Sequence, residues 1–432
     1  MVKEQSQPPC QTDVDPDRIS CLPDHVIDQI LAYLPIREAV GTSILSRKWR
    51  YKWATVPNLV FDNDTLLYYT LADSSIDMNK LVSYIDHVLL LHSGPINKFK
   101  VSNHELTGVS AIDRWTLHVS RRSVEEFVLE IWKGQHYKIP SCLFSCQSLK
   151  HLELFNCWLK PPSKFQGFRN LKSLDLQNVT LAQDDFQYLI SSCPLLERLT
   201  LANFHGLTRL NIDAPNLQFF YIEGNFEAIS FENTFRLAVV SIGLDVNFEN
   251  NKQGGFSNLL NFFAHLPHIR RLEIQSYFLK YLAVGVVPPK LPRPCIDLSF
   301  LSIRINFNDS KEISAALCLL RSSPNLQELE ILARTEEETV LFKRNYCWED
   351  DRLSCPVPVM HLRYVRIHRI TGVKSELDFI SFLLLHSPVL ERMTVKAVLN
   401  GGLEFMLMEE LLRFRRASPR AEIIYQEYQE SS

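Results

Sequence analysis

The sequence predicts an α/β chain: a small three-helix segment at the amino terminus, then a solenoid of parallel strands with helices on its convex side, closed by an αβ end. Two observations carry this. Apolar residues between 19 and 61 fall at helical spacing between clear stops, and from residue 124 onward a pattern L-x-x-L-x-L recurs to the end of the chain. With 432 residues, 46% hydrophobic and 22% charged, the chain has the composition of an ordinary globular protein with a large core.

Residues 1–16 are polar and proline-bearing and read as a disordered lead-in. Residues 17–61 form the first folded segment. Val26, Ile27, Ile30, Leu31 and Leu34 make one apolar stripe, Pro23 suits a first turn, and Pro35 ends the helix. Ile36, Ala39, Val40 and Ile44 share a second face, and Ser46 is placed to cap a third helix carrying Trp49 and Trp53. Burying one indole removes roughly 150 to 250 Å² from water, worth about 4 to 6 kcal/mol at most. Three short helices cannot bury this much alone, so the stripes require the rest of the chain or a partner.

Leu22-Pro23-Asp24, Ile30-Leu31, Leu34-Pro35-Ile36 and Leu45-Ser46-x-x-Trp49-Arg50-x-x-Trp53 together resemble the F-box along its whole length. The resemblance implies docking on a Skp-type adaptor, which bridges to a cullin and its RING subunit. It assigns Leu22, Pro23, Ile27, Ile30, Leu31, Leu34, Val40, Leu45, Trp49 and Trp53 to that interface or its support. The plainer reading, that these side chains are the core of a helical subdomain, holds for some of them.

Residues 62–123 hold a linker helix and the first solenoid units. The helix starts near Asp77, carries Leu81, Tyr84, Ile85, Val88 and Leu89 on one stripe, and stops at Ser93-Gly94-Pro95. Residues 124–355 are the leucine-rich repeats. Their early copies begin at Val124, Leu149, Leu171 and Leu196, inside the roughly 20 to 29 residue period of such repeats. Each strand points its leucines inward, and a return segment such as Asp184 to Ser192 supplies a helix. The copies Leu207/Leu210/Ile212 and Leu217/Phe220/Ile222 are compressed, so no helix fits between them. Later copies are Leu237/Val240/Ile242, Ile269/Leu272/Ile274, Leu326/Leu329/Ile331, Leu362/Val365/Ile367 and Leu390/Met393/Val395. Residues 275–298 and 333–360 read as loops.

Residues 356–426 resemble the FBD domain that follows F-box and repeat regions in plants. Leu362-Arg363-Tyr364-Val365, Glu376-Leu377-x-Phe379-Ile380-x-Phe382-Leu383-Leu384, Ser387-Pro388-Val389-Leu390-Glu391 and Leu411-Leu412-Arg413-Phe414-x-Arg416 carry that likeness. The order is strand, helix, strand, helix, strand, which caps the solenoid, and 427–432 is a tail.

Function follows from what such a frame can and cannot do. A formal net charge of −3 provides no field for nucleic acid or anionic lipid. No stretch is long and apolar enough for a membrane span, and the amino terminus lacks a signal-peptide core, so the expected location is intracellular, nuclear or cytoplasmic. The ten cysteines contain no C-x-x-C pair, and Cys142, Cys146 and Cys157 lack a fourth zinc ligand. No P-loop, G-x-S-x-G, G-x-G-x-x-G or H-E-x-x-H occurs, so neither catalysis nor a cofactor is expected. Residues between the leucines alternate to the concave face. Among these, Arg198, Phe219, Tyr221, Arg271, Tyr364 and Arg366 are the types that anchor protein interfaces and are the candidates for holding a target protein. The resemblance as a whole implies the substrate-recognition subunit of a ubiquitin ligase. The alternatives are a protein-interaction scaffold with a degenerate F-box, and a hormone co-receptor.

Overall fold

The computed structural model describes residues 18–63, 78–245, 258–266, 268–334, 360–398 and 403–427. The lead-in at 1–16 and nearly all of the loop at 333–360 lie outside them. Two compact units divide the chain, Met1–Lys133 and Gly134–Ser432.

In the first unit, helices Asp24–Tyr33 and Ile36–Gly41 follow the expected stripes, with Pro23 and Pro35 as their amino-terminal caps. The third helical segment is tighter than a regular helix. Turns from Leu45 to Tyr51 lead into a 3-10 helix, Lys52–Thr55. Its backbone bonds span three residues, as in Trp49 N–H to Ser46 O (3.2 Å) and Val56 N–H to Trp53 O (3.1 Å). The Arg50 carbonyl, which a regular helix would pair with the Ala54 N–H, instead accepts from the Ser43 hydroxyl at 2.7 Å.

The helix Met78–Leu91 buries Leu81, Ile85, Val88 and Leu89, as its stripe requires. Parallel strands Asn58–Phe61, Lys98–Thr107 and Glu126–Lys133 pair in that order. The first two belong to triplets, Val56/Leu59/Phe61 and Ile96/Phe99/Val101, whose side chains are all buried. The repeat pattern therefore starts before residue 124.

The second unit is a parallel sheet in the order His151–Phe155, Ser173–Gln177, Arg198–Ala202, Phe219–Gly224, Val239–Leu244, Arg271–Ser276, Phe300–Ile305, Glu328–Ala333, Tyr364–Ile370, Arg392–Ala397 and Glu422–Glu427. The paired leucines of each strand are buried at the same register: Leu152, Leu174 and Leu199 lie side by side, as do Leu154, Leu176 and Leu201. Asn156, Asn178, Asn203 and Asn233 each follow a strand with φ of 60°, 50°, 51° and 52°. A short side chain that bonds locally makes asparagine tolerant of this left-handed turn. Asn178 also donates to the Asn156 side chain at 3.2 Å.

Three expectations need correction. Leu210 and Ile212 sit on Arg209–Asp213, which pairs with Ala228–Glu232 in a separate two-stranded sheet, so that copy is not a member of the main sheet. With no room for a helix, a short strand carries the return path. Residues 275–298 are not all loop, because Phe278–Leu282 is a helix burying Phe278, Leu279, Tyr281 and Leu282. The strand Phe300–Ile305 continues a triplet Leu298/Leu301/Ile303 that the repeat reading passed over. At the end of the chain, Tyr364–Ile370, Lys374–His386, Arg392–Ala397, Leu403–Arg413 and Glu422–Glu427 give the expected strand, helix, strand, helix, strand.

Candidate functional site

Residues 19–61 divide their apolar side chains between a core and a solvent face. Ile27, Leu31, Ile36 and Ala39 are buried, and Trp49 and Trp53 join them at 3% and 4% exposure. The Trp49 indole N–H donates to the Ile19 carbonyl at 3.2 Å. Asp24, in the first turn of its helix, receives Lys52 at 3.0 Å and Lys48 at 3.5 Å. The hydrogen bond and charge of Lys52 lead the effects that hold its carboxyl below the usual range. Below this core, His92 donates Nε2–H to the Val56 carbonyl at 2.8 Å, while Ser93 and Gly94 N–H groups bond Ala54 O. Burial pushes the His92 pKa down, which favours the neutral ring with its proton on Nε2.

Exposed apolar side chains include Ile30 and Tyr33, one turn apart on the first helix, and Ile44 and Leu45 after the second. Tyr33 is 90% exposed and Ile44 89%. Of the residues that the motif assigned to an interface, Pro23, Ile30 and Leu45 reach solvent, Leu22, Leu34 and Val40 are half-buried, and Ile27, Leu31, Trp49 and Trp53 face inward. Tyr33, Ile44 and exposed Tyr51 were not on that list. The stripe reading grouped Ile44 with Ile36 and Ala39, but those two are buried and Ile44 is not, because the helix stops at Gly41 and Thr42–Ile44 is a 3-10 turn that breaks the helical spacing.

The second unit places the six target-facing candidates on the open side of its sheet. The Arg198 guanidinium lies 4.1 Å from the centroid of Phe219, its in-register neighbour. Arg271 stacks on Phe300 at 3.7 Å and pairs with Glu273 at 2.7 Å. Tyr221 donates to Glu223 at 2.5 Å. Burial, with the adjacent Glu223, pushes its phenol well above the ordinary range. Tyr364 donates to Glu391 at 2.8 Å, and Arg366 meets Glu328 at 3.3 Å. Arg198, Phe219, Tyr221 and Arg271 therefore fall within neighbouring strands, whereas Tyr364 and Arg366 lie farther along the sheet. Arg413 is held by Glu409 at 2.6 Å, and Arg416, just past the last helix, donates to the Ala421 carbonyl at 2.9 Å, so these two arginines are paired within the chain.

Three family models match the chain: the F-box domain over residues 19–61, the LRR repeats of FBD-associated F-box proteins over 112–331, and FBD over 358–395. The F-box/FBD/LRR-repeat protein At1g13570 of Arabidopsis thaliana is 39% identical over 95% of this chain and 98% of its own length. The chain belongs to the F-box/FBD/LRR-repeat family. The FBD-associated F-box protein At5g56370 of the same plant is 27% identical over 95% of this chain and 100% of its own length. At1g66310, an FBD-associated F-box protein, is 28% identical over 96% and 97%. In this family the F-box marks an adaptor-binding surface and points to a non-catalytic protein. Among the described residues, no helix is long and apolar enough to cross a membrane.

Proposed function

We propose that the chain is the substrate-recognition subunit of an SCF-type ubiquitin ligase. Its F-box docks a Skp-type adaptor, the adaptor bridges to a cullin and a RING subunit, and the repeat and FBD face holds a target protein for modification. The chain itself supplies no catalytic group, because bringing target and ubiquitin donor together provides the rate gain.

The observation that carries this reading is the set of apolar side chains on residues 19–61 that the fold leaves in water: Ile30, Tyr33, Ile44 and Leu45. The internal core of Ile27, Leu31, Trp49 and Trp53 forms without them, and falling within the residues that the F-box model matches, they support a docking surface for another protein. These exposed positions also allow a cleaner test than the tryptophans, whose loss would damage the core.

Recombinant Skp-type adaptor is captured with the wild-type chain and with Ile30→Asp/Ile44→Asp/Leu45→Asp. Loss of adaptor from the triple variant, with an unchanged thermal transition, is the expected result. Equal recovery by both proteins overturns the reading and leaves a scaffold in its place.

A further inference from the structure

The strand Glu422–Glu427 stands at the end of the second unit's sheet and pairs, among the described residues, with Arg392–Ala397 alone. The Glu422 N–H bonds the Glu391 carbonyl at 3.0 Å, so Glu422, Ile424 and Gln426 turn their backbone groups toward that neighbour. The direction alternates along a strand, and Ile423 turns its N–H and C=O to the outer edge. Neither proline nor lysine nor a bulge blunts this edge, the devices by which exposed strands are kept from pairing. The core is also unfinished here. Met393 and Val395 are fully buried, whereas Ile423 and Tyr425, at the same two positions of the next strand, are half-buried.

The helix Leu403–Arg413 shows the same open side one layer away. Leu407 and Leu411 are buried, but Phe405 is 81% exposed, Leu412 73%, and Met408 is exposed between them. In the preceding helix, Lys374–His386, Phe379, Ile380, Phe382, Leu383 and Leu384 are all buried. At about 100° per residue, Phe405, Met408 and Leu412 form one stripe roughly a third of a turn from Leu407 and Leu411. Viewed from the amino end of the helix, that stripe lies clockwise of the buried pair. In a right-handed strand–helix–strand crossover this is the side of the following strand, Glu422–Glu427, and its open edge.

We propose that this end is the interface between two copies of the chain, related by a two-fold axis through Ile424. Ladder bonds require that outward-turned residues oppose each other, and the register centred on Ile424 meets that condition. It sets Ile423 against Tyr425 of the second copy on the inner face, Ile424 against its own copy, and Glu422 against Gln426, so that no carboxylate opposes another. A slip of one residue would oppose Glu422 to Glu427 and bring inward-turned backbone groups to the interface. The helix is about 16 Å long and the strand about 20 Å, so their midpoints, near Met408 and Ile424, stand at similar heights on the axis. Two antiparallel copies of the stripe then meet with Phe405 beside Leu412 of the second copy and Met408 at the centre. A strand edge and a helix stripe that close about one axis fit a second copy of this chain, whereas an extended peptide would cover the edge and leave the helix in water. The assignment goes beyond the ligase reading and does not depend on it. Where both hold, one assembly carries two target-binding faces.

Sedimentation velocity of the full chain, free and with recombinant adaptor, is expected to show two copies of the chain at micromolar concentration. Phe405→Asp/Leu412→Asp should raise the dissociation constant of that dimer about a hundredfold without changing the thermal transition. Phe235→Asp, at an exposed apolar position elsewhere, should leave it unchanged. Ile424→Cys puts two thiols on the axis, where opposed Cα atoms stand about 4.5 Å apart, and oxidation by copper phenanthroline should link the copies covalently. Gln426→Cys, opposite Glu422, should not link. A single copy of wild type, an unchanged dimer in the Phe405/Leu412 variant, or no linkage of Ile424→Cys above wild type overturns the proposal. A single-copy wild type that adds an extended peptide at this edge overturns it equally and assigns the edge to a segment of a different protein.

Discussion

Arg334 closes the turn after Glu328–Ala333 by meeting the Glu312 carboxylate at 2.5 Å, where Glu312 is fully buried. The same guanidinium lies 4.2 Å over the ring of Tyr277 and donates to the Ser276 carbonyl at 3.0 Å. Glu312 accepts the Asn306 N–H at 2.9 Å with its other oxygen, so one carboxylate joins a strand end, a helix start and the neighbouring repeat. Desolvation outweighs the attraction of Arg334 and pushes its pKa up to about 7.

Removing one partner of a buried pair costs more than removing both charges. Arg334→Met should lower unfolding stability by about 3 kcal/mol, read from the urea midpoint. Adding Glu312→Gln keeps an acceptor for Asn306 and removes the stranded charge. The double variant should recover about half of the loss. A double variant worse than Arg334→Met alone would contradict this account.

Glu376 gives the clearest pH signature. It is 3% exposed and accepts the N–H groups of Thr371, Gly372 and Val373 at 2.9, 2.8 and 3.2 Å, yet burial still pushes its pKa up to about 7 from 4.5. A raised carboxyl is protonated in the folded state when it is already ionised in the unfolded chain. The stabilising term is thus complete below about pH 4.5 and is lost as pH rises through 7. Glu376→Gln should remove about 2 to 3 kcal/mol of that fall between pH 4.5 and 7.5. Parallel stability profiles for wild type and variant would refute it.

The repeat region was legible because each strand writes its inward residues as a triplet of large apolar side chains, and Leu152/Leu154 or Leu174/Leu176 fall where that pattern puts them. Leu298/Leu301/Ile303 was overlooked because proline-rich sequence precedes it, although the same triplet is present. The misplaced strand Arg209–Asp213 shows the converse limit: Leu207/Leu210/Ile212 has the correct triplet, but membership of a sheet depends on a neighbour, which periodicity does not name. In the F-box segment the motif found the residues without telling inward from outward. Trp49 and Leu45 are both apolar members of the motif, and only the tight turns from Leu45 to Thr55 decide that the first is buried and the second is exposed.

That division leads to paired outcomes. Trp53→Ala should cost about 3 to 5 kcal/mol by opening a cavity in the small core, while Ile44→Ala should change stability by less than about 0.5 kcal/mol. Thermal unfolding of residues within the full chain, followed by tryptophan fluorescence, separates the two. A large loss in Ile44→Ala would place that side chain in a core and remove it from the docking face.

Cysteine chemistry offers a check on burial that does not depend on unfolding. Cys21 is exposed, whereas burial pushes the thiols of Cys146 up to about 12 and Cys193 up to about 11. Brief native alkylation with iodoacetamide at pH 8 should modify Cys21 and leave the peptides bearing Cys146 and Cys193 unlabelled until denaturant is added. Early labelling of Cys193 would mean that its repeat opens far more readily than its packing implies.

Gly167 marks the backbone position least tolerant of a side chain. Its φ is +86°, and a Cβ there would stand 2.0 Å from the Ser192 carbonyl oxygen at the end of the helix Gln183–Ser191. Gln147 donates to the Gly167 carbonyl at 3.1 Å, fixing the loop from the other side. Gly134 has a similar φ of +94° but open space around it. Gly134→Ala should therefore cost about 1 kcal/mol for conformation alone, and Gly167→Ala about 3 kcal/mol or more, since the loop must also move off Ser192. Urea midpoints of the two variants measure the difference directly. Equal shifts would show that the loop carrying Gly167 relaxes freely and that its close approach to the helix end contributes nothing to the stability of that repeat.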